Sequence, residues 1–144
     1  MKRKIIITAT VLLFLLFLYT AFSKLLTHDT FVFHIKGVPF FGQYANVLAW
    51  AVPELEILIA CLLIIPKTKQ TGFFASFFLL LFFTVYIYWL QHFTNVLYCS
   101  CGGILGELSW TWHFWFNVIF TLLAAAAVCL YPDYKKQKRA IAYK

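Results

Sequence analysis

Charge is what this chain has least of. Only 12% of its 144 residues are Asp, Glu, Lys or Arg, while 63% are hydrophobic. A soluble domain is nearer half apolar and a quarter charged, so this scarcity, with a mean hydropathy of +0.84, marks an integral membrane protein. Acidic residues number five against twelve Lys and Arg, a net charge of +7. That excess does not point to nucleic acid, because the basic residues sit in short clusters flanking apolar runs and no surface able to neutralise many phosphates can be drawn. Basic residues are missing altogether from one stretch. Between about Gln91 and Trp112 there is no Lys or Arg, and this stretch carries Cys99-Ser100-Cys101-Gly102-Gly103.

By length the chain is one domain, residues 1–144. A membrane helix needs about 20 mostly apolar residues to cross about 30 Å of hydrocarbon. Four windows qualify, at about 5–25, 45–65, 72–91 and 112–131, followed by a basic tail over 132–144. The expected fold is all-α, an integral membrane four-helix bundle. Between the first two spans, THDTFVFHIKGVPFFGQY mixes aromatics with His28, Asp29, His34 and Lys36. It is too short and too polar to cross, and reads as an interfacial loop or short amphipathic segment. The basic start, apolar run and small residues Ala21 and Ser23 also fit a cleaved signal peptide, but the apolar run is long for one and a retained helix is preferred.

Orientation follows from the Lys/Arg bias of short loops. Lys2, Arg3 and Lys4 precede the first span, Lys67 and Lys69 separate the second and third, and Lys135, Lys136, Lys138 and Arg139 follow the fourth. Four crossings put all three clusters on one side, which the bias assigns to the cytoplasm together with both termini. The other side receives only Lys24 and Lys36, and the Cys-x-Cys loop faces outward. Trp50, Trp89, Trp110, Trp112 and Trp115 all fall at span ends on that outer side. Amphipathic Trp rings favour the headgroup boundary, so interface anchoring is their ordinary reading and the wall of a quinone or partner site the sharper one.

Outside the cytoplasm Cys99 and Cys101 can hold a disulfide. Residues two apart close a strained ring, and strained or exposed disulfides are the labile, more oxidising ones. Gly102 and Gly103 ease the backbone demands of closure. Inert thiols are one alternative. Metal binding with His92 and His113 is another, although the spacings match no standard zinc or copper motif. His92, just past the third span, is a candidate proton acceptor for the thiols. Cys61 and Cys129 lie near the inner ends of their spans, roughly 20 Å or more from the outer loop at 1.5 Å per helical residue, and read as small buried apolar residues.

Ionisable groups inside spans are costly and so are functional candidates. Glu56 lies near the middle of the second span and Glu54 nearer its outer end, beside Pro53. Two residues apart on a helix they face nearly opposite ways, so one partner cannot serve both. Lys24 closes the first span and can pair with Glu56 or with Glu54, either to fix helix contacts or to handle protons. Asn117 and Gln91 are candidates for hydrogen bonds between helices.

Three motifs carry a resemblance. "FSKLL" at the end of the first span resembles the small-residue-x-x-Lys-Leu signature of the MauE/DoxX-like membrane proteins. "PELEILIACLLII" resembles their Pro-x-x-Glu-Leu opening of the second span, with Glu56 at the Glu position. "CSCGG" sits where the MauE branch carries Cys-x-Cys after its third span. The resemblance runs from about Ile7 to Leu130, with Ala60 where a Gly is usual and Gly-Gly after Cys101. It implies a compact DoxX-like four-helix bundle in the bacterial cytoplasmic (inner) membrane. It also implies a role in methylamine utilisation, assisting disulfide formation or maturation of a periplasmic dehydrogenase subunit, with a periplasmic thioredoxin-like protein or a client needing disulfides as partner. The leading expectation is thus a thiol–disulfide redox or maturation factor, with a quinone as a possible cofactor. A non-catalytic membrane subunit or anchor is the alternative, and a small-molecule or metal carrier using Glu56 and the outer His/Cys cluster is a third.

Overall fold

The computed structural model describes residues 2–93 and 110–142, all of their regular structure helical. Five α-helices follow in order: α1 (Lys2–Leu26), α2 (His28–Lys36), α3 (Ala45–Ile64), α4 (Lys69–Phe93) and α5 (Trp110–Ala142), with one 3-10 turn at Gly42–Tyr44. Four of them are long and apolar enough to cross a membrane, over Arg3–Leu26, Gly42–Ile64, Lys69–Phe93 and Trp112–Lys136. The chain is a multi-pass membrane protein. Each expected span contains the core of one of these helices.

The long helices form a closed ring of neighbours in which α1 packs on α3 and α5, and α4 packs on α3 and α5. Consecutive members run antiparallel. Phe73 near the start of α4 meets Tyr131 late in α5 at 5.6 Å between ring centroids, and Tyr88 near the end of α4 meets Phe114 early in α5 at 6.2 Å. Lys24 late in α1 reaches Glu56 in α3. One end of the bundle therefore gathers the start of α1, the α3–α4 turn and the late part of α5, with their basic residues. The other gathers α2, the end of α4, the start of α5 and all five Trp positions.

Each helix turns one stripe inward. On α1 it is Ile6, Ala9, Leu13, Phe17, Ala21 and Lys24; on α3 it is Ala45, Ala49, Pro53, Glu56, Ala60 and Leu63. Steps of three and four keep such residues on one face. Small residues recur in these stripes because apolar lipid gives helices no hydrophobic reason to associate, and close backbone approach must supply the attraction. Gly72 shows how close. A Cβ there would lie 2.9 Å from the Leu63 amide nitrogen and 3.0 Å from the Leu62 carbonyl carbon. The outward faces carry large apolar side chains such as Leu15, Phe78, Phe82, Ile119 and Leu122, while Lys24, Glu56, Ser76, His113, Asn117 and Thr121 are buried. Such an inversion of the soluble-protein pattern fits an apolar solvent around the bundle. Hydroxyls inside the helices bond back to the carbonyl four residues earlier, as in Thr10 to Ile6, Ser76 to Gly72 and Thr121 to Asn117. By this route these hydroxyls are satisfied within their own helices, without water.

One detail of the sequence expectation is narrowed, the interfacial loop or short amphipathic segment being the short helix α2, and one differs. The segment after the first span forms α2, which docks Phe31 and Ile35 against Ala45 and Ala49 at the start of α3. The last helix does not end at Tyr131 but continues through Pro132 to Ala142. A proline removes one hydrogen bond, here to the carbonyl of Val128, without ending the helix when good helix formers follow. Lys, Gln, Arg and Ala follow this one.

Candidate functional site

Apart from Ser76, the buried polar groups converge toward the Trp-rich half of the bundle. From α1, Lys24 directs its Nζ at both carboxylate oxygens of Glu56 on α3, at 2.8 Å to Oε1 and 3.1 Å to Oε2. Both side chains are almost wholly buried, 3% and 2% exposed. The ammonium also lies 3.5 Å from the Thr20 carbonyl oxygen, and its charge faces the rings of Phe31 at 6.0 Å and Phe83 at 5.9 Å. Desolvating two charges costs several kcal/mol per ion, and only close, multiply bonded geometry of this kind offsets it. Glu54, two residues before Glu56, is exposed at the bundle surface. Of the two carboxylates open to Lys24 in the sequence, the structure brings Glu56 to it.

Beside the ion pair is a cavity of about 30 Å³ lined by Lys24, Glu56, His113 and Asn117 among Leu16, Phe17, Leu80, Phe83 and Phe116. His113 is 9% exposed, and neither ring nitrogen makes a hydrogen bond within the protein. Asn117 donates from Nδ2 to the His113 carbonyl at 2.9 Å, so this bond stays within α5. A cross-helix polar contact is made instead by the hydroxyls of Thr84 and Thr121, 3.2 Å apart. Gln91 is half-buried near the end of α4.

His92 and His113 part company. The ring of His92 is exposed, stacks on Tyr88 at 4.2 Å and places Nδ1 3.0 Å from the Tyr88 carbonyl oxygen. Among the described residues no group of three or more His, Cys, Asp and Glu side chains comes together. Cys61 and Cys129 are exposed on the outer faces of α3 and α5 rather than buried. Lipid, being apolar, accepts a thiol as readily as a protein core does, and so these positions escape the burial expected of them. Cys99 and Cys101 lie outside the described residues; their flanks, Phe93 and Trp110, both stand at the Trp-rich end. His113, Asn117 and Thr121, at intervals of four on one face of α5, are the group that sequence reasoning did not assemble.

A family model described as methylamine utilisation protein MauE matches residues 2–131. This chain belongs to the MauE family. Neither the curated proteins nor the solved structures compared with it gave a match. The MauE match takes in the first three crossing segments, most of the fourth, the Cys-x-Cys run, the ion pair and His113, and stops at the residue before Pro132.

Proposed function

We propose that this MauE-family protein is a membrane thiol–disulfide redox or maturation factor that acts on an extracytoplasmic partner through Cys99 and Cys101. The observation that carries the reading is the family match over residues 2–131, within which both cysteines fall. The antiparallel order of α4 and α5 supports it, since the residues that flank the thiols leave and re-enter the bundle at the end opposite the basic clusters. By the charge bias of short loops that end lies outside the cytoplasm.

Exchange begins when the thiolate of one cysteine attacks a disulfide of the partner. One S–S bond breaks as a mixed disulfide forms, and the departing partner sulfur leaves as a thiolate. The second cysteine then attacks the mixed disulfide, releasing a partner with two thiols and leaving Cys99 joined to Cys101. Two electrons have moved from this chain to the partner, and the same steps reversed deliver a disulfide to it. His92 is placed by this reading as a proton acceptor at the end of α4. The partner is a periplasmic thioredoxin-like protein or a client requiring disulfides, and the family description ties it to methylamine utilisation.

Trapping tests the reading. Cys101→Ser and Cys99→Ser are expressed separately and run on non-reducing gels after acid quenching. At least one should accumulate a reducible adduct with a second protein. Absence of an adduct from both, with a Cys99→Ser/Cys101→Ser variant that keeps full activity, would show that the protein acts as a membrane subunit or anchor instead.

A further inference from the structure

The buried chemistry of the bundle is not used by thiol exchange, and its geometry has a use of its own. We propose that the cavity between α1, α3, α4 and α5 is a proton-exchange site, in which one bound water links the imidazole of His113 to the Lys24–Glu56 ion pair. The proposal does not rest on the thiol reading.

Its first support is His113. A neutral imidazole has one N–H donor and one acceptor nitrogen, and the protonated ring has two donors. Neither nitrogen finds a partner in the protein although the residue is nine-tenths buried. Buried polar atoms in that position are costly, and each calls for an explanation such as water. A second support is size. A cavity needs about 10–15 Å³ to admit a water, whose share of the liquid is about 30 Å³, and two to four polar partners to keep it. This one measures about 30 Å³ and has Lys24, Glu56, Asn117 and His113 in its wall.

The third support is the distribution of charge. Facing the cavity, α1 supplies Lys24, α3 supplies Glu56 and α5 supplies His113 with the neutral Asn117, whereas α4 supplies only Leu80 and Phe83. Ammonium and carboxylate offset one another, so the site is neutral until His113 takes up a proton and positive afterwards. Among the three groups the imidazole is the one whose ordinary range spans physiological pH. The bound water gives a proton to a ring nitrogen as it takes one from the aqueous phase at the Trp-rich end, so that no hydroxide is left behind, and release reverses this. No electron moves. His113 stands three residues into α5, within reach of that end.

The full chain in lipid nanodiscs, with its histidines labelled with ¹⁵N, tests the site. Imidazole resonances are followed from pH 5 to 9, and His113 is assigned by the signal lost in His113→Gln. The expected result is a His113 ring whose nitrogens receive magnetisation from water, with that transfer weakened in Glu56→Gln. Should that variant not fold, Glu56→Asp keeps the charge but displaces it and must still weaken the transfer. A His113 that receives no magnetisation from water, or receives as much in both variants as in the native chain, overturns the proposal.

Discussion

Lys24 and Glu56 show how a membrane interior makes single residues costly and pairs tolerable. Each charge alone in that setting is expensive, and at 2.8 and 3.1 Å their two contacts offset most of the penalty. Removing one partner strands the other. Lys24→Met or Glu56→Leu alone should therefore destabilise the bundle by about 3–5 kcal/mol, while the double variant costs far less than the sum. Thermal or denaturant unfolding in a fixed detergent measures the cycle, and single losses that simply add would show that the two side chains do not couple. The choice of Glu56 over Glu54 is legible in the spacing of α3. Ala45, Ala49, Pro53, Ala60 and Leu63 form one face of that helix; Glu56 falls on it and Glu54 does not. The same arithmetic on α5 puts His113, Asn117 and Thr121 on one inward face with Ala124 and Tyr131. Taken singly, His113 reads as a neighbour of the cysteines, and only the stripe it begins gives it an inward place. The cavity itself is not written in any local pattern, since four helices contribute to its wall.

At the scale of the element, Gly72 fixes how tightly α4 approaches α3. Two effects compete when it is replaced. Helix propensity favours any other ordinary residue by up to about 1 kcal/mol, but the space a side chain needs is occupied by the backbone of Leu62 and Leu63, which cannot swing aside. Overpacking typically costs about 1–3 kcal/mol, so it wins for a large side chain. Gly72→Leu should lower stability by about 1–3 kcal/mol, and Thr71→Leu, on the exposed side of the same turn, should change it little. Equal melting temperatures for the two variants would contradict the close approach. Helix existence is legible here from hydropathy alone because lipid demands about 20 apolar residues in a row. Helix ends are less so. Beyond Tyr131 the hydropathy signal stops, yet α5 continues through Pro132 to Ala142. The short α2 is stabilised by tertiary contacts of Phe31 and Ile35 that no periodicity in nine residues announces.

For the molecule as a whole, two independent asymmetries run along the same axis. Basic residues cluster at the end holding the start of α1, the α3–α4 turn and the late part of α5, and Trp gathers at the other. Charge bias in short loops acts during insertion, whereas Trp placement reflects interfacial partitioning of the folded chain, so their agreement on one axis is not built in by a common cause. Under the function proposed above, both put the segment between α4 and α5 outside the cytoplasm. The four cysteines then separate into two classes by accessibility. Cys61 and Cys129 face outward along α3 and α5, where lipid would shield them from a charged reagent, while the proposed function requires Cys99 and Cys101 to be reachable from the extracytoplasmic side. In intact cells treated first with a reductant, a membrane-impermeant maleimide should label the native chain, lose that labelling in Cys99→Ser/Cys101→Ser, and keep it in Cys61→Ser/Cys129→Ser. Without the reductant, labelling should fall if the outer pair is held as a disulfide. Labelling that appears only after the cells are opened reverses the topology, and with it the compartment in which exchange can occur, since a labile disulfide facing the cytosol would be kept reduced.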